Sequence, residues 1–299
     1  MTPLRMAVVG AATGWHVQRL SAAIARRGHE PILVAWESLG GFVETGRERF
    51  LPAALETADL VVVRGMPGGS ADASRLEDVI FRMDVLGRIE ARGTPVVNSP
   101  RALEAAIDKY LALARLAAVG LPVPRTRVVQ GAAEAARIAA EFGNACIVKP
   151  LFGSGGRGIE RLPGGDDSPR RLADRGLQAV HYLQEYVPHA GWDVRVLVVG
   201  DDLFAIRRRA ARGEWRTNLS CGGQAEPLLL PEDWGDLARR AAATLGAEVA
   251  GVDLLPATDG RLLILEVNGV PGWRGLEAAT GVDVSGRVAA HLEARGRRC

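Results

Sequence analysis

The chain has 299 residues, 47% of them hydrophobic and 24% charged, with a net charge of +2. That length allows a large buried core and about two domains, and the balanced charge excludes a generally basic nucleic-acid-binding surface. Cys146, Cys221 and Cys299 are isolated and cannot form a closed set of pairs, no signal-peptide pattern opens the chain and no apolar run is long enough to span a membrane, so a cytoplasmic protein without membrane partners is expected.

Residues 1–97 alternate strand and helix signals. Met6 to Gly10, Pro31 to Trp36, Asp59 to Val63 and Thr94 to Val97 read as strands, and Leu20 to Arg27 and Val79 to Ala91 as helices. This alternation predicts an open parallel sheet with ligands at the strand ends. Gly10-Ala-Ala-Thr-Gly14 invites a dinucleotide reading, with Glu37 as a ribose acceptor and an NAD(P)-dependent oxidoreductase as the function. The spacing departs from G-x-G-x-x-G, which favours a plain tight turn. Arg64 ends a strand beside a Gly-rich loop from Gly65 to Ser70, where it could hold a carboxylate or phosphate.

In residues 98–187, Ser99 and Pro100 open a helix with Leu103, Ile107, Leu111 and Ala114 on one face. Asp108-Lys109 interrupts that apolar pattern, and Lys109 is a candidate phosphate contact. Gly120-Leu121-Pro122-Val123-Pro124 breaks the helix and leads into a smaller domain. Ala145 to Pro150 is a strand carrying Lys149, and Gly153, Ser154, Gly155, Gly156 and Gly158 follow at once. Backbone N–H groups in such a loop can approach phosphates closely. No Lys-Ser or Lys-Thr pair follows the glycines, so this is not a Walker A loop. A strand lysine with a glycine flap is a nucleotide-clamping arrangement. The extended segment Gln184-Glu185-Tyr186-Val187 can offer backbone groups to an adenine edge.

Residues 188–299 begin with an alternating strand, Gly191 to Asp201, that puts Asp193 and Arg195 on one face. Its partner runs from Leu203 to Ala210, and alternation sends Arg208 to the opposite face from Arg207 and Arg209, toward an anion-facing site. A helix from Asp233 to Leu245 leads into a hairpin with strands at Gly251 to Leu255 and Leu262 to Gly269, turning at Thr258-Asp259-Gly260. Glu266 and Asn268 share one face, with Leu265 and Val267 on the other. With Asp253 they form a hard-oxygen set suited to Mg²⁺. Val282 to Arg295 is a final helix, and His291 on it reads as structural. No Ser-His-Asp or Cys-His set is evident, and histidines are too sparse for zinc.

The order of these features resembles the ATP-grasp superfamily over almost the whole chain. Within it, Asn98-Ser99-Pro100, Asp108-Lys109, Gly120 to Thr126 and Arg216-Thr217-Asn218-Leu219 with Gly222-Gly223 look most like the RimK-type glutamate ligases. Val63 to Pro67, Val79 to Asp84 and Asn268 to Trp273 look closest to the branch that adds glutamate to tetrahydromethanopterin. The resemblance implies an α/β N-terminal domain over residues 1–97, a linking helix and α+β lid over 98–187, and a C-terminal antiparallel-sheet domain over 188–299.

It implies ATP and Mg²⁺ (or Mn²⁺), with Lys109, Lys149 and the flap on the phosphates, Gln184 to Val187 at the adenine hinge, Asp193 near the ribose and Arg216 on the nucleotide. Asp253, Glu266 and Asn268 would hold the metal, and Arg208 and Asn218 would face phosphoryl transfer. The reaction implied is amide formation through an acyl phosphate, joining L-glutamate to a small-molecule acid, or to a protein tail or another amino acid as in other relatives. Arg64 and Arg82 are the candidates for holding the acceptor, and a homo-oligomer is compatible with the family. Cys221 stands where many relatives carry a basic residue.

Overall fold

The computed structural model describes residues 2–66, 76–142, 146–153, 155–162, 171–174 and 179–298. The first third is built on β1 (Arg5–Val9), α1 (Trp15–Arg26), β2 (Glu30–Val34), a hairpin of β3 (Gly40–Glu44) and β4 (Arg47–Leu51), β5 (Leu60–Val63), α2 (Leu76–Ala91) and β6 (Val96–Val97). The parallel sheet has the order β2-β1-β5-β6. Its central strand is buried on both faces, as an unbroken apolar run requires. Met6 and Val8 pack with Leu20 and Ile24 of α1, while Ala7 and Val9 pack with Trp36, Leu86 and Ile89 on the other side.

Two antiparallel sheets follow. After α3 (Pro100–Ile107) and α4 (Lys109–Ala118), the central sheet combines β7 (Thr126–Gln130), β8 (Cys146–Lys149), β9 (Glu160–Leu162) and β10 (Val180–Glu185) in the order β7-β10-β8-β9. Helix α5 (Ala132–Glu141) closes its small core on Val148 and Leu183. The last sheet contains β11 (Trp192–Val199), β12 (Asp202–Arg209), β13 (Gln224–Pro227), β14 (Val249–Pro256) and β15 (Leu262–Asn268), ordered β13-β12-β11-β14-β15. Helix α6 (Glu232–Leu245) covers one of its faces together with α3 and α4. On the opposite face, Leu197, Val199 and Ile206 share one core with α1, β1, β5 and α8 (Val284–Gly296), beside α7 (Arg274–Thr280). A parallel sheet followed by two antiparallel ones is the expected α/β architecture. Among the described residues no helix is long and apolar enough to cross a membrane.

Two local expectations change. The single helix expected after Ser99 is two helices, broken at Asp108, whose carboxylate accepts from the amides of Tyr110 at 2.8 Å and Leu111 at 3.0 Å. An aspartate that caps a new helix offers the chain a competing turn, and it makes Lys109 the first residue of α4. The strict alternation expected along β15 also fails. Asp253 pairs with Glu266 and Leu254 with Ile264, which leaves Leu265 unmatched. The extra residue of the bulge turns Leu265 to the same cleft as Glu266.

Asn98, buried at the end of the parallel sheet, ties the regions together. Its Nδ2 donates to the carbonyls of Val249 at 2.7 Å and Gly269 at 2.6 Å, and its Oδ1 accepts from the amides of Glu248 at 2.8 Å and Val249 at 2.9 Å. Asn98→Ala strips buried backbone groups of their partners, each orphan costing roughly 1–3 kcal/mol. Urea unfolding is expected to show a loss of about 3 kcal/mol or more, and an unchanged midpoint would show that Asn98 does not hold these strands.

Candidate active site

The central sheet and the last sheet face each other across a cleft of about 850 Å³, part of it open to solvent. The sequence contains two lysines, Lys109 and Lys149, and both line this cleft. Lys149 ends β8, and its Nζ donates to Gln184 Oε1 at 2.6 Å on the neighbouring β10. Gln184 is oriented in turn, its Nε2 donating to Thr126 Oγ1 at 2.9 Å. Burial lowers the Lys149 pKa to about 8, with the charge of Glu266 opposing that shift. Burial also lowers Lys109.

Gly153, Gly155, Gly156 and Gly158 all have positive φ, so the flap follows a path closed to most L side chains. Its carbonyls are held by side chains from elsewhere. Lys109 Nζ donates to Gly153 O at 2.6 Å, Ser220 Oγ to Gly155 O at 2.6 Å and Arg216 Nη1 to Gly156 O at 3.2 Å. A Cβ at Gly156 would lie 2.7 Å from Asn218 Oδ1, so the flap and the Asn218 turn touch directly. Ser154 lies outside the described residues.

The opposite wall is a row of charges across four strands. Asp193 pairs with Arg208, Arg195 with Asp253, and Asp253 with Glu266 in the strand register. Arg208 Nε and Nη2 donate to Asp193 Oδ1 at 2.8 Å and Oδ2 at 2.5 Å, and Nη2 lies 2.9 Å from Asp253 Oδ2. Arg195 forms a second ion pair with Asp253, and Thr217 Oγ1 donates to Asp193 Oδ2 at 2.6 Å. Burial alone would lower the Arg208 pKa, but Asp253 and Asp193 hold it above the usual range. Burial alone would raise Asp253, and Arg195 and Arg208 hold it below the carboxylate range. The inward face of Arg208 was expected, but it meets carboxylates rather than an open anion site. Glu266 has no ion pair among the described residues.

The remaining lining is apolar and aromatic. Ile147, Val187, Leu255 and the bulged Leu265 lie beside the extended backbone of Glu185 and Tyr186. The Glu185 carboxylate turns away, accepting from the amide and Nε of Arg125, both at 3.0 Å, and from Arg261 Nη1 at 3.1 Å. Only its backbone is offered to the cleft. His189 and Trp215 also line it, within 6.1 and 6.0 Å of the Tyr186 ring, and neither was foreseen. No pattern in the sequence marked them. The double lysine count was a usable signal.

Asn268 borders an adjoining cavity with Arg195, Arg208, Asn218 and Glu266. Its Oδ1 accepts from the Val270 amide at 2.9 Å. Arg64 and Arg82 do not line the main cleft. They lie at the end of the parallel sheet, Arg64 4.1 Å over Trp273 and Arg82 5.9 Å over Trp36. The Gly10 to Gly14 segment is a tight turn, with the Gly14 amide donating to Ala11 O at 2.8 Å.

The RimK-like ATP-grasp domain matches residues 106–292. The tetrahydromethanopterin:alpha-L-glutamate ligase of Methanosarcina acetivorans is 35% identical over 271 residues, covering 80% of this chain and 81% of that protein. The ribosomal protein bS6--L-glutamate ligase of Escherichia fergusonii is 36% identical over 237 residues, covering 77% and 78%. The ATP-grasp ligase PsnB, solved with a phosphomimetic precursor variant, Mg and ADP, has a TM-score of 0.76 and 26% identity over 97% of this chain and 98% of that one. These matches give the oxidoreductase reading of the Gly10 turn no support.

Lys149 gives the cleft a pH signature. Its folded pKa lies below the ordinary lysine value, so the unfolded chain binds more protons between about pH 8 and the ordinary value of 10.5, and this group's contribution to stability rises with pH across that window. A bound polyphosphate favours the charged amine. Between pH 8 and 9, nucleotide binding is expected to weaken and to take up protons, read as buffer-dependent heat in titration calorimetry. Heat independent of the buffer would remove Lys149 from the phosphate contact.

Proposed function

Because the chain belongs to the RimK-like ATP-grasp family of ligases, we propose that it joins L-glutamate to an acid, at the carboxylate of a tetrahydromethanopterin-like molecule, with ATP as the energy source. The observation that carries this reading is the convergence of both lysines, the pinned glycine flap and the arginine–carboxylate wall on one cleft. Lys149 and Lys109 bind the phosphates, and Arg216 holds the flap over them. The backbone of Glu185 to Val187 takes the adenine edge, with Leu255 and Leu265 beneath the ring.

The acceptor carboxylate attacks the γ-phosphorus, the bond to the β-phosphate oxygen breaks, and ADP leaves with an acyl phosphate formed. The glutamate amine attacks that carbonyl, loses a proton, and phosphate departs as the amide forms. The negative charge that develops here falls on oxygen atoms, so positioned cations and donors carry the catalysis. Arg208, fixed by Asp193 and Asp253, and Asn218, against the flap, are the groups placed to do so. A closed flap keeps water from the acyl phosphate.

The donor set accommodates Mg²⁺ or Mn²⁺. Beside Asp253 and Asn268, Glu266 is a carboxylate without an ion pair among the described residues. No three His, Cys, Asp or Glu side chains form a closed metal cluster among the described residues. Glu266, with Asp253 and Asn268 beside it, would hold such an ion, and substrate phosphates and water would supply the rest of its oxygen ligands. When bound it neutralises phosphate charge.

A second acceptor class is favoured by specific relatives, since one acts on a ribosomal protein and the ligase PsnB was also solved with a precursor peptide. The test is incubation with ATP, Mg²⁺, L-glutamate and a panel of acids that includes a pterin carboxylate, an acidic peptide tail and free amino acids. Acid-dependent ADP release and the gain of one glutamyl unit by mass spectrometry are expected on the pterin. Gain on the peptide would move the acceptor, and no acid-dependent release from any member would overturn the ligase reading. Glu266→Gln is expected to lower turnover by about 10²-fold or more with the thermal midpoint retained, and an active variant would remove Glu266 from the metal role.

A further inference from the structure

We propose that the N-terminus of α1, with Arg64, His16 and Arg274 around it, binds a second oxyanion of the acceptor, a carboxylate or phosphate remote from the carboxylate that is activated. Helix α1 opens at Gly14 with no side-chain cap and no acidic residue in its first turn. Its first amides and the helix dipole therefore favour an anion that the helix does not supply itself.

The independent observation is Arg64. It is 8% exposed, its Nη2 donates to Pro271 O at 2.8 Å, its Nε has no partner, and no carboxylate pairs with it among the described residues. A buried guanidinium without a counter-ion is expensive, and burial pushes its pKa down to about 9. It lies at the end of β5, where ligands enter open parallel sheets, and its charge reaches His16 in the first turn of α1.

His16 Nε2 accepts from the Trp273 amide at 2.9 Å, which leaves Nδ1 as the protonated donor. Burial, then Arg64 and Arg274, lower the His16 pKa to about 4, so the ring is neutral near pH 7. Arg274 is exposed, stands 5.8 Å from the Trp15 ring, and has no ion pair among the described residues. The cluster adjoins the reaction centre. A Cβ on Gly272 would lie 3.3 Å from His16, and Gly272 lines the adjoining cavity shared by Arg208, Asn218 and Glu266. One acceptor can thus reach both, entering the cavity with the reacting carboxylate and leaving its other charge at α1.

This assignment rests on the ligase reading, but its test is a binding measurement that needs no turnover. The full chain, saturated with Mg²⁺ and a non-hydrolysable ATP analogue to fill the nucleotide cleft, is titrated with inorganic phosphate or with glutarate at constant ionic strength. Tryptophan fluorescence reports on Trp15 and Trp273. A saturable response is expected, weakened at least ten-fold in R274E, whose side chain is exposed, and in R64Q. The stronger of the two anions identifies whether phosphate or carboxylate is recognised. No saturable response to either, or one unchanged in R274E, overturns the proposal and leaves acid-dependent ADP release untouched. Failure of ligation with this response intact overturns the ligase reading alone.

Discussion

The ion-pair row from Arg208 through Asp193, Arg195 and Asp253 to Glu266 is the constraint on which the candidate site depends. Neighbouring strands place these groups side by side, so the register of β11, β12, β14 and β15 fixes the order of charge. Taking so many ions out of water is unfavourable unless each finds a partner in good geometry. Here two arginines meet two aspartates, and Glu266 is left over at the end of the row. A slip of one residue in any strand would turn its charges to the opposite face. The same row therefore selects the register and leaves the Glu266 carboxylate without an ion pair among the described residues.

Much of this was legible in the residues. An apolar run ending in Lys149 before a cluster of glycines, and a hairpin bearing Asp253, Glu266 and Asn268, carry their chemistry locally. What escaped was set by distant partners. Asp108 could extend a helix or cap a new one, and tertiary context chose the cap. The bulge at Leu265 follows from pairing with β14, which periodicity along β15 cannot report. Glu185 lines the cleft, yet its carboxylate is consumed by Arg125 and Arg261, one just before β7 and the other just before β15. His189 and Trp215 come from loops with no repeating pattern, so nothing nearby could mark them. The β3–β4 hairpin was missed because it covers little core, with Val43 83% exposed.

The flap is held by the groups proposed to bind nucleotide. Lys109 donates to a flap carbonyl, and a phosphate bound as proposed would compete for the same ammonium, exchanging partners at Lys109 instead of simply adding them. The remaining contacts, from Ser220 and Arg216, come from the segment that also carries Asn218, so the flap and that segment are positioned together.

Asn98 has a consequence for how new specificities can arise in this architecture. It bonds the end of the parallel sheet to the strand bearing Asp253 and to the residue after Asn268, and the first and last thirds bury a common core around Leu20, Val199 and Leu292. The N-terminal third is therefore not an exchangeable cassette. Grafting it whole from a relative would cut through packed side chains and a four-way amide junction. With the acceptor held as proposed, its preference would change piecemeal instead, in the loops at the strand ends, which can vary while that shared core stays intact.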